Sequence, residues 1–170
     1  MALLVQPGFA LYQVRELPRL NPIPAALFEQ TGEVVALKRD LAVLGAPEPI
    51  LASSVVNSGH VYRSTAQGWV HEAKLSPSDG AVGDHFGSAV ATANGRVFCG
   101  SPNHTGSGGA DSVAVFVFEQ QASNWVQVAK LEANNSVAER WFGSDLDAEG
   151  ETLLIAGCRL WGIIPDDSKA

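Results

Sequence analysis

Charge is scarce in this chain, and so are the residues on which most catalytic and metal chemistry is built. Only 17% of its 170 residues are charged, against the roughly 25% of an average soluble domain. The 11 Lys and Arg are scattered from Arg15 to Lys169 and are outnumbered by 18 Asp and Glu, a net charge of -7. Such a surface repels phosphate, which makes nucleic acid and anionic membranes poor partners and leaves no nucleic-acid partner expected. Long apolar runs are missing as well. The longest, Val113 to Phe118, has six residues, where about 20 are needed to cross a bilayer, so no transmembrane span is expected in this chain. The apolar start Met1 to Val5 is cut by Gln6-Pro7-Gly8 before it reaches a signal-peptide core, so no signal peptide is read in this chain either. The two cysteines, Cys99 and Cys158, form no Cys-x-x-Cys pair and no zinc spacing with histidine; they read as small buried hydrophobes rather than a disulfide.

What the chain does have is apolar content for one core, 46% of residues, and 17 glycines, which point to many short elements joined by turns. Compared with itself, the chain repeats. Gly68-Trp69-Val70-His71-Glu72-Ala73-Lys74-Leu75 returns as Asn124-Trp125-Val126-Gln127-Val128-Ala129-Lys130-Leu131, and Phe86-Gly87-Ser88 returns as Phe142-Gly143-Ser144, both at an offset of 56. Tyr62 stands before Trp69 as Phe118 stands before Trp125. A worn earlier copy, displaced by 55, aligns Gly32 with Gly87 and Gly45-Ala46-Pro47 with Gly100-Ser101-Pro102. There Thr31 replaces the Phe; in the last copy Gly157 is aligned with Gly100, at the expense of one inserted residue near Glu149-Gly150.

Within a unit the apolar residues follow the short period of strands. Ala89 to Thr92 and Arg96 to Gly100, joined by Asn94-Gly95, read as an antiparallel hairpin, since Asn-Gly suits the two-residue turn. Ser112 to Glu119 and Trp125 to Leu131 read as two more strands. Four strands per unit make one blade of a propeller. The expected fold is therefore all-β: antiparallel four-stranded blades of a β-propeller, about three of them and so incomplete. The divisions are a poorly assigned segment 1–30, a degenerate blade 31–75, a central blade 76–131 and a partial blade 132–170.

The run from Lys74 to Ala91, with Asp79-Gly80, Gly83-Asp84-His85-Phe86-Gly87-Ser88 at its heart, closing with Gly100-Ser101-Pro102, resembles the FG-GAP repeat. That is the repeat of the integrin alpha N-terminal propeller and of many extracellular proteins. The resemblance implies structural roles for Gly32, Gly45, Pro47, Trp69, Phe86, Gly87, Gly100, Pro102, Trp125, Phe142, Gly143 and Gly157. Phe86 would enter between neighbouring blades, and Gly87 would let backbones approach closely. It implies an extracellular or cell-surface location, a protein or glycan ligand, and recognition by loops holding Asp79, Asp84, His85, Asn103, His104 and Asp111. Some members carry a calcium loop of acidic residues at alternate positions. Here the corresponding turns, Ala93-Asn94-Gly95 and Ala148-Glu149-Gly150, offer too few of the six to eight oxygens calcium wants, so no cofactor is expected. Asp79 and Asp84 read as residues of a solvated turn that cap backbone amides.

Catalysis finds no support in these residues. His60, His71 and His104 lie on different elements, His85 reads as a solvated turn residue, and neither a nucleophile elbow nor a phosphate loop is present. The expectation is a non-catalytic binding or adhesion scaffold, with an accessory region of a larger surface or secreted enzyme as the alternative. Sequons at Asn103 and Asn134 are compatible with a secretory route. Seven such units would take about 390 residues, so closing a ring is expected to need self-association or a longer parent chain. The tail after Ile163 stops where a third strand of the last blade would lie, and the chain is expected to end within a blade.

Overall fold

The computed structural model describes residues 3–6, 13–16, 31–47, 57–104, 113–133 and 141–157. The described residues form strands and turns only, in antiparallel sheets. A hairpin of Leu3–Gln6 (β1) and Gln13–Glu16 (β2) comes first. The first four-stranded sheet follows with Val34–Lys38 (β3), Leu41–Ala46 (β4), Ser58–Thr65 (β5) and Gly68–Leu75 (β6), each strand beside its predecessor. The second sheet repeats that order with Ala89–Ala93 (β7), Arg96–Ser101 (β8), Ala114–Gln121 (β9) and Asn124–Glu132 (β10). Asp145–Glu149 (β11) and Thr152–Ala156 (β12) form the inner hairpin of a third unit. This is the meander of propeller blades, left open.

The repeat extends below the level of strands. β6 and β10 each skip one residue in their ladder, Glu72 and Val128, which stand 56 apart like the rest of the unit. Such bulges bend an edge strand and add twist. The three inner hairpins all turn through two residues: Arg39-Asp40, Asn94-Gly95 and Gly150-Glu151. The first residue of each has positive φ, at 56°, 50° and 56°. Asn and Gly take that conformation readily, and Arg39 is the one ill-suited residue.

Residues of opposite parity on each strand face different neighbours. The larger core lies between sheets one and two, where Leu41, Val43, Val61 and Leu75 meet Val90, Val97, Cys99, Ala114, Phe116 and Phe118 around Phe86. Phe86 is fully enclosed and lies edge-on to Phe116 and Phe118 at centroid distances of 5.6 and 6.0 Å. Between sheets two and three, Ala89, Ala91, Ala93, Phe98, Val115 and Val117 meet Leu146 and Ala148, with Phe142 half-buried against them. Trp125 packs on the first core, while Trp69 packs on Ala42, Leu44 and Tyr62, on the other face of sheet one.

Each junction closes on a glycine pair. A Cβ on Gly45 would lie 2.0 Å from the carbonyl oxygen of Gly87, and a Cβ on Gly100 would lie 1.9 Å from that of Gly143. No side chain fits there. Gly87 N–H donates to the Gly100 carbonyl at 2.8 Å, and Gly143 N–H donates to the Ala156 carbonyl at 2.9 Å. This bond corrects the alignment of the last copy. Ala156, paired with Asp145 as Gly100 is with Ala89, holds the position assigned to Gly157, and no residue is inserted. Matching glycine to glycine misplaces the register by one, because the two-residue turn and the alternation of apolar residues, not one shared letter, set a hairpin's register. Pro47 and Pro102 are both buried just beyond β4 and β8.

Candidate functional site

Two connections meet at one end of the second sheet: the crossover from β6 to β7, residues 76–88, and the start of the link from β8 to β9. The crossover is tied to the outer strand by Ser78 N–H, which donates to Gln127 Oε1 at 2.9 Å. It then turns on itself, Asp84 N–H donating to the Ala81 carbonyl and Ser88 N–H to that of His85. Asp84 ends up buried, at 3% exposure, which corrects the expectation of a solvated turn residue. Its carboxylate accepts from Ala81 N–H at 2.8 Å, as capping requires, and also faces His104 Nδ1 at 2.8 Å. Its carbonyl accepts from Ser101 Oγ and Asn103 N–H.

His104 is completely enclosed, edge-on to Phe116 at 5.3 Å. Of the expected recognition loop it lies at the start, where it is pegged to the crossover through Asp84. An ionised Asp84 can only accept, which assigns the Nδ1 proton to His104. The opposite ring nitrogen, Nε2, has no hydrogen-bond partner and lies 3.6 Å from the Asp79 carboxylate. Asp79 in turn pairs with Lys130 at 2.9 Å, and Lys130 with Glu132 at 2.7 Å. The hydrogen bond from Lys130 holds the Asp79 carboxyl below the usual carboxylate range. Burial pulls the Lys130 ammonium down, but Glu132 and Asp79 together outweigh it and raise the group. A connected line, Asp84–His104–Asp79–Lys130–Glu132, thus joins crossover, link and outer strand.

Of the other expected loop residues, Asn103 is exposed beside this line, and His85 is half-buried in a left-handed turn with φ 56°. Asp79 is about half exposed. Val82, which sequence reasoning passed over, stands 49% exposed on the same crossover. Asp111, the Asn134 sequon and Cys158 lie outside the described residues.

The Asp84–His104 pair has the form of a base and its orienting carboxylate. Ser101 Oγ, the hydroxyl of this network, donates to the Asp84 carbonyl. Cys99 is no nucleophile: it is buried, and burial pushes its thiol far up, so it stays protonated and inert.

His60 and His71 lie on different strands, as expected, and the fold brings them into a second polar cluster. They face each other across β5 and β6 with Nδ1 and Nε2 3.1 Å apart; Ser58 Oγ lies 3.3 Å from His60 Nε2, and Tyr62 stacks edge-on to His71. Burial lowers the pKa of His71 and so favours its neutral form. No group of three metal-binding side chains occurs among the described residues. At the far end of the sheets, Arg63 gathers Asp40, Glu72 and Gln120, and Arg96 holds Glu119. These networks stitch neighbouring hairpins together.

Comparison with known families agrees with the repeat. Residues 69–118, from the outer strand of sheet one through the third strand of sheet two, match the family model of the FG-GAP repeat. No curated protein sequence matches the chain significantly.

Proposed function

We propose, from the premise that this chain carries an FG-GAP repeat, that it recognises a protein or glycan partner through the connecting loops of its sheets. The repeat belongs to a propeller-type scaffold family, non-catalytic and often adhesive, and typically found outside cells. The observation that carries the reading is the buried Asp84–His104 pair. It ties the crossover to the start of the β8–β9 link at one end of sheet two, where Asn103 and Val82 are presented to solvent. Pre-ordered loops lose less conformational entropy on binding than loops that must be ordered by the ligand. Function outside the cell or at its surface belongs to the same reading, supported by the sequon at Asn103.

The test is a screen of the immobilised chain against an array of glycans and a panel of extracellular protein domains. The expected result is a partner whose binding is lost in Val82→Arg and Asn103→Arg and kept in Asn94→Arg, which alters the exposed turn between β7 and β8. A partner insensitive to both loop variants would overturn the assignment of the recognising face. Loss of binding in Asn94→Arg alone would move recognition to the opposite end.

A further inference from the structure

The two junctions between sheets set out what a sheet needs in order to receive a neighbour on either side. On the receiving face of its inner strand, sheet two presents Val90 and sheet three presents Leu146 and Ala148, and each sends a glycine with positive φ toward the sheet before it. On the other face, sheet one offers Val34 and Ala36, and sheet two offers Ala89, Ala91 and Ala93, each with a glycine (Gly45 or Gly100) where the backbones touch.

The outer ends of the array satisfy these conditions unequally. Sheet one retains the receiving half. Gly32 has φ +94°, close to the +87° of Gly87 and +82° of Gly143, and its N–H donates to the Gly45 carbonyl at 2.9 Å as theirs do to Gly100 and Ala156. Yet Gly32 is exposed where Gly87 and Gly143 are buried, and among the described residues a Cβ there would meet only Leu44, at 3.6 Å. Val35 and Leu37, which hold the positions of Val90 and Thr92, are 66% and 55% exposed. Sheet three has lost the offering half. The positions of Ala89, Ala91 and Ala93 are taken by Asp145, Asp147 and Glu149, all exposed, and that of Gly100 by Ala156. A methyl group at that place is what the 1.9 and 2.0 Å approaches at Gly100 and Gly45 forbid, and while Glu149 pairs with Lys38, the carboxylates of Asp145 and Asp147 cannot be buried against aliphatic side chains without neutralising charges.

We infer that the array is open at its first sheet and closed at its third. Sheet one accepts the inner hairpin of a further unit, one with small apolar residues at alternate positions and a glycine at the contact point. The hairpin β11–β12 of a second copy is the occupant that the chain itself could supply, and it carries the wrong residues at all four places. Copies of this chain therefore do not stack head to tail. This rests on the repeat reading of the fold and is independent of what the loops bind.

The test is the solution mass of the full chain, by light scattering over a wide concentration series, beside two variants. The first, Asp145→Ala with Asp147→Ala, Glu149→Ala and Ala156→Gly, gives the third sheet the residues of the second. The next adds Val35→Lys and Leu37→Lys to it. The natural chain is expected to show one copy, or two where first-sheet ends meet face to face. The first variant is expected to grow past three copies with concentration, and the second to return to the natural mass. Three or more copies of the natural chain would overturn the inference. So would a first variant that is folded by circular dichroism and unchanged in mass. If the fourfold change unfolds the chain, Asp147→Ala with Ala156→Gly is read in the same way, and the natural chain's own mass still decides. Head-to-tail stacking with intact loop binding would sink this inference alone and leave the proposed function standing.

Discussion

At the junction of sheets one and two, Phe86 is sealed among aromatic and branched side chains; at the junction of sheets two and three, its counterpart Phe142 is only half-buried against a cluster that is half alanine. Yet the backbone approach is the same at both, within a tenth of an ångström at Gly45 and Gly100. The glycine contact is thus the invariant of the design, and side-chain packing is free to vary around it. This follows from the physics: a backbone collision cannot be relieved by choosing another rotamer, whereas a core can be filled in several ways.

The largest expected effect tests that equivalence. Gly45→Ala and Gly100→Ala force the sheets apart, and each should cost about 4 kcal/mol, at the extreme of single substitutions. Equal losses in chemical denaturation would support the shared geometry; a large difference would break it. Next, Phe86→Ala should cost about 3–5 kcal/mol, and Phe142→Ala roughly half of that, because less of its ring leaves water. Should Phe142→Ala prove the more damaging, the ranking of the two cores would be wrong.

A smaller effect belongs to the first junction's loops. Asp84→Ala strips the buried His104 ring and Ala81 N–H of their partner and should cost about 2 kcal/mol, with faster amide exchange at Asn103 and Ala81. Unchanged exchange would show that the loops are held by other contacts. The buried face of sheet one adds a pH dependence. Since burial lowers the pKa of His71, the unfolded chain binds the proton more readily. The associated stability is therefore complete above pH 6.5 and is lost as the pH falls through the folded-state pKa. His71→Gln, the residue found at the equivalent Gln127, should flatten the thermal midpoint's fall between pH 7 and pH 5. The smallest effect is at the Lys38–Glu149 pair, which links the first and third units at 2.9 Å across exposed side chains. Lys38→Ala should change stability by less than about 0.5 kcal/mol, and a greater loss would mean that the pair braces the array.

Much of this was readable before any coordinates. The 56-residue offset located the inner hairpins, the Asn94-Gly95 turn and the Phe86-Gly87 contact, since each depends on residues close in the chain or on a repeated pattern. The pairing of Asp84 with His104 was not readable. Twenty residues and two strands separate them, and nothing in a histidine flanked by Asn and Thr distinguishes a buried peg from a loop residue. The same holds for His60 and His71, whose meeting depends on the bulge that skips Glu72.

The amino-acid sequence by itself determined the repeat, the strand order and the all-β class, because period-two apolar patterning and turn residues act locally. Only the tertiary structure decided which ends of the array can receive a neighbour. A glycine one place from an alanine looks like the same signature in a string of letters, but the hydrogen bond from Gly143 selects Ala156, whose methyl group joins Asp145, Asp147 and Glu149 at the offering positions of the third sheet.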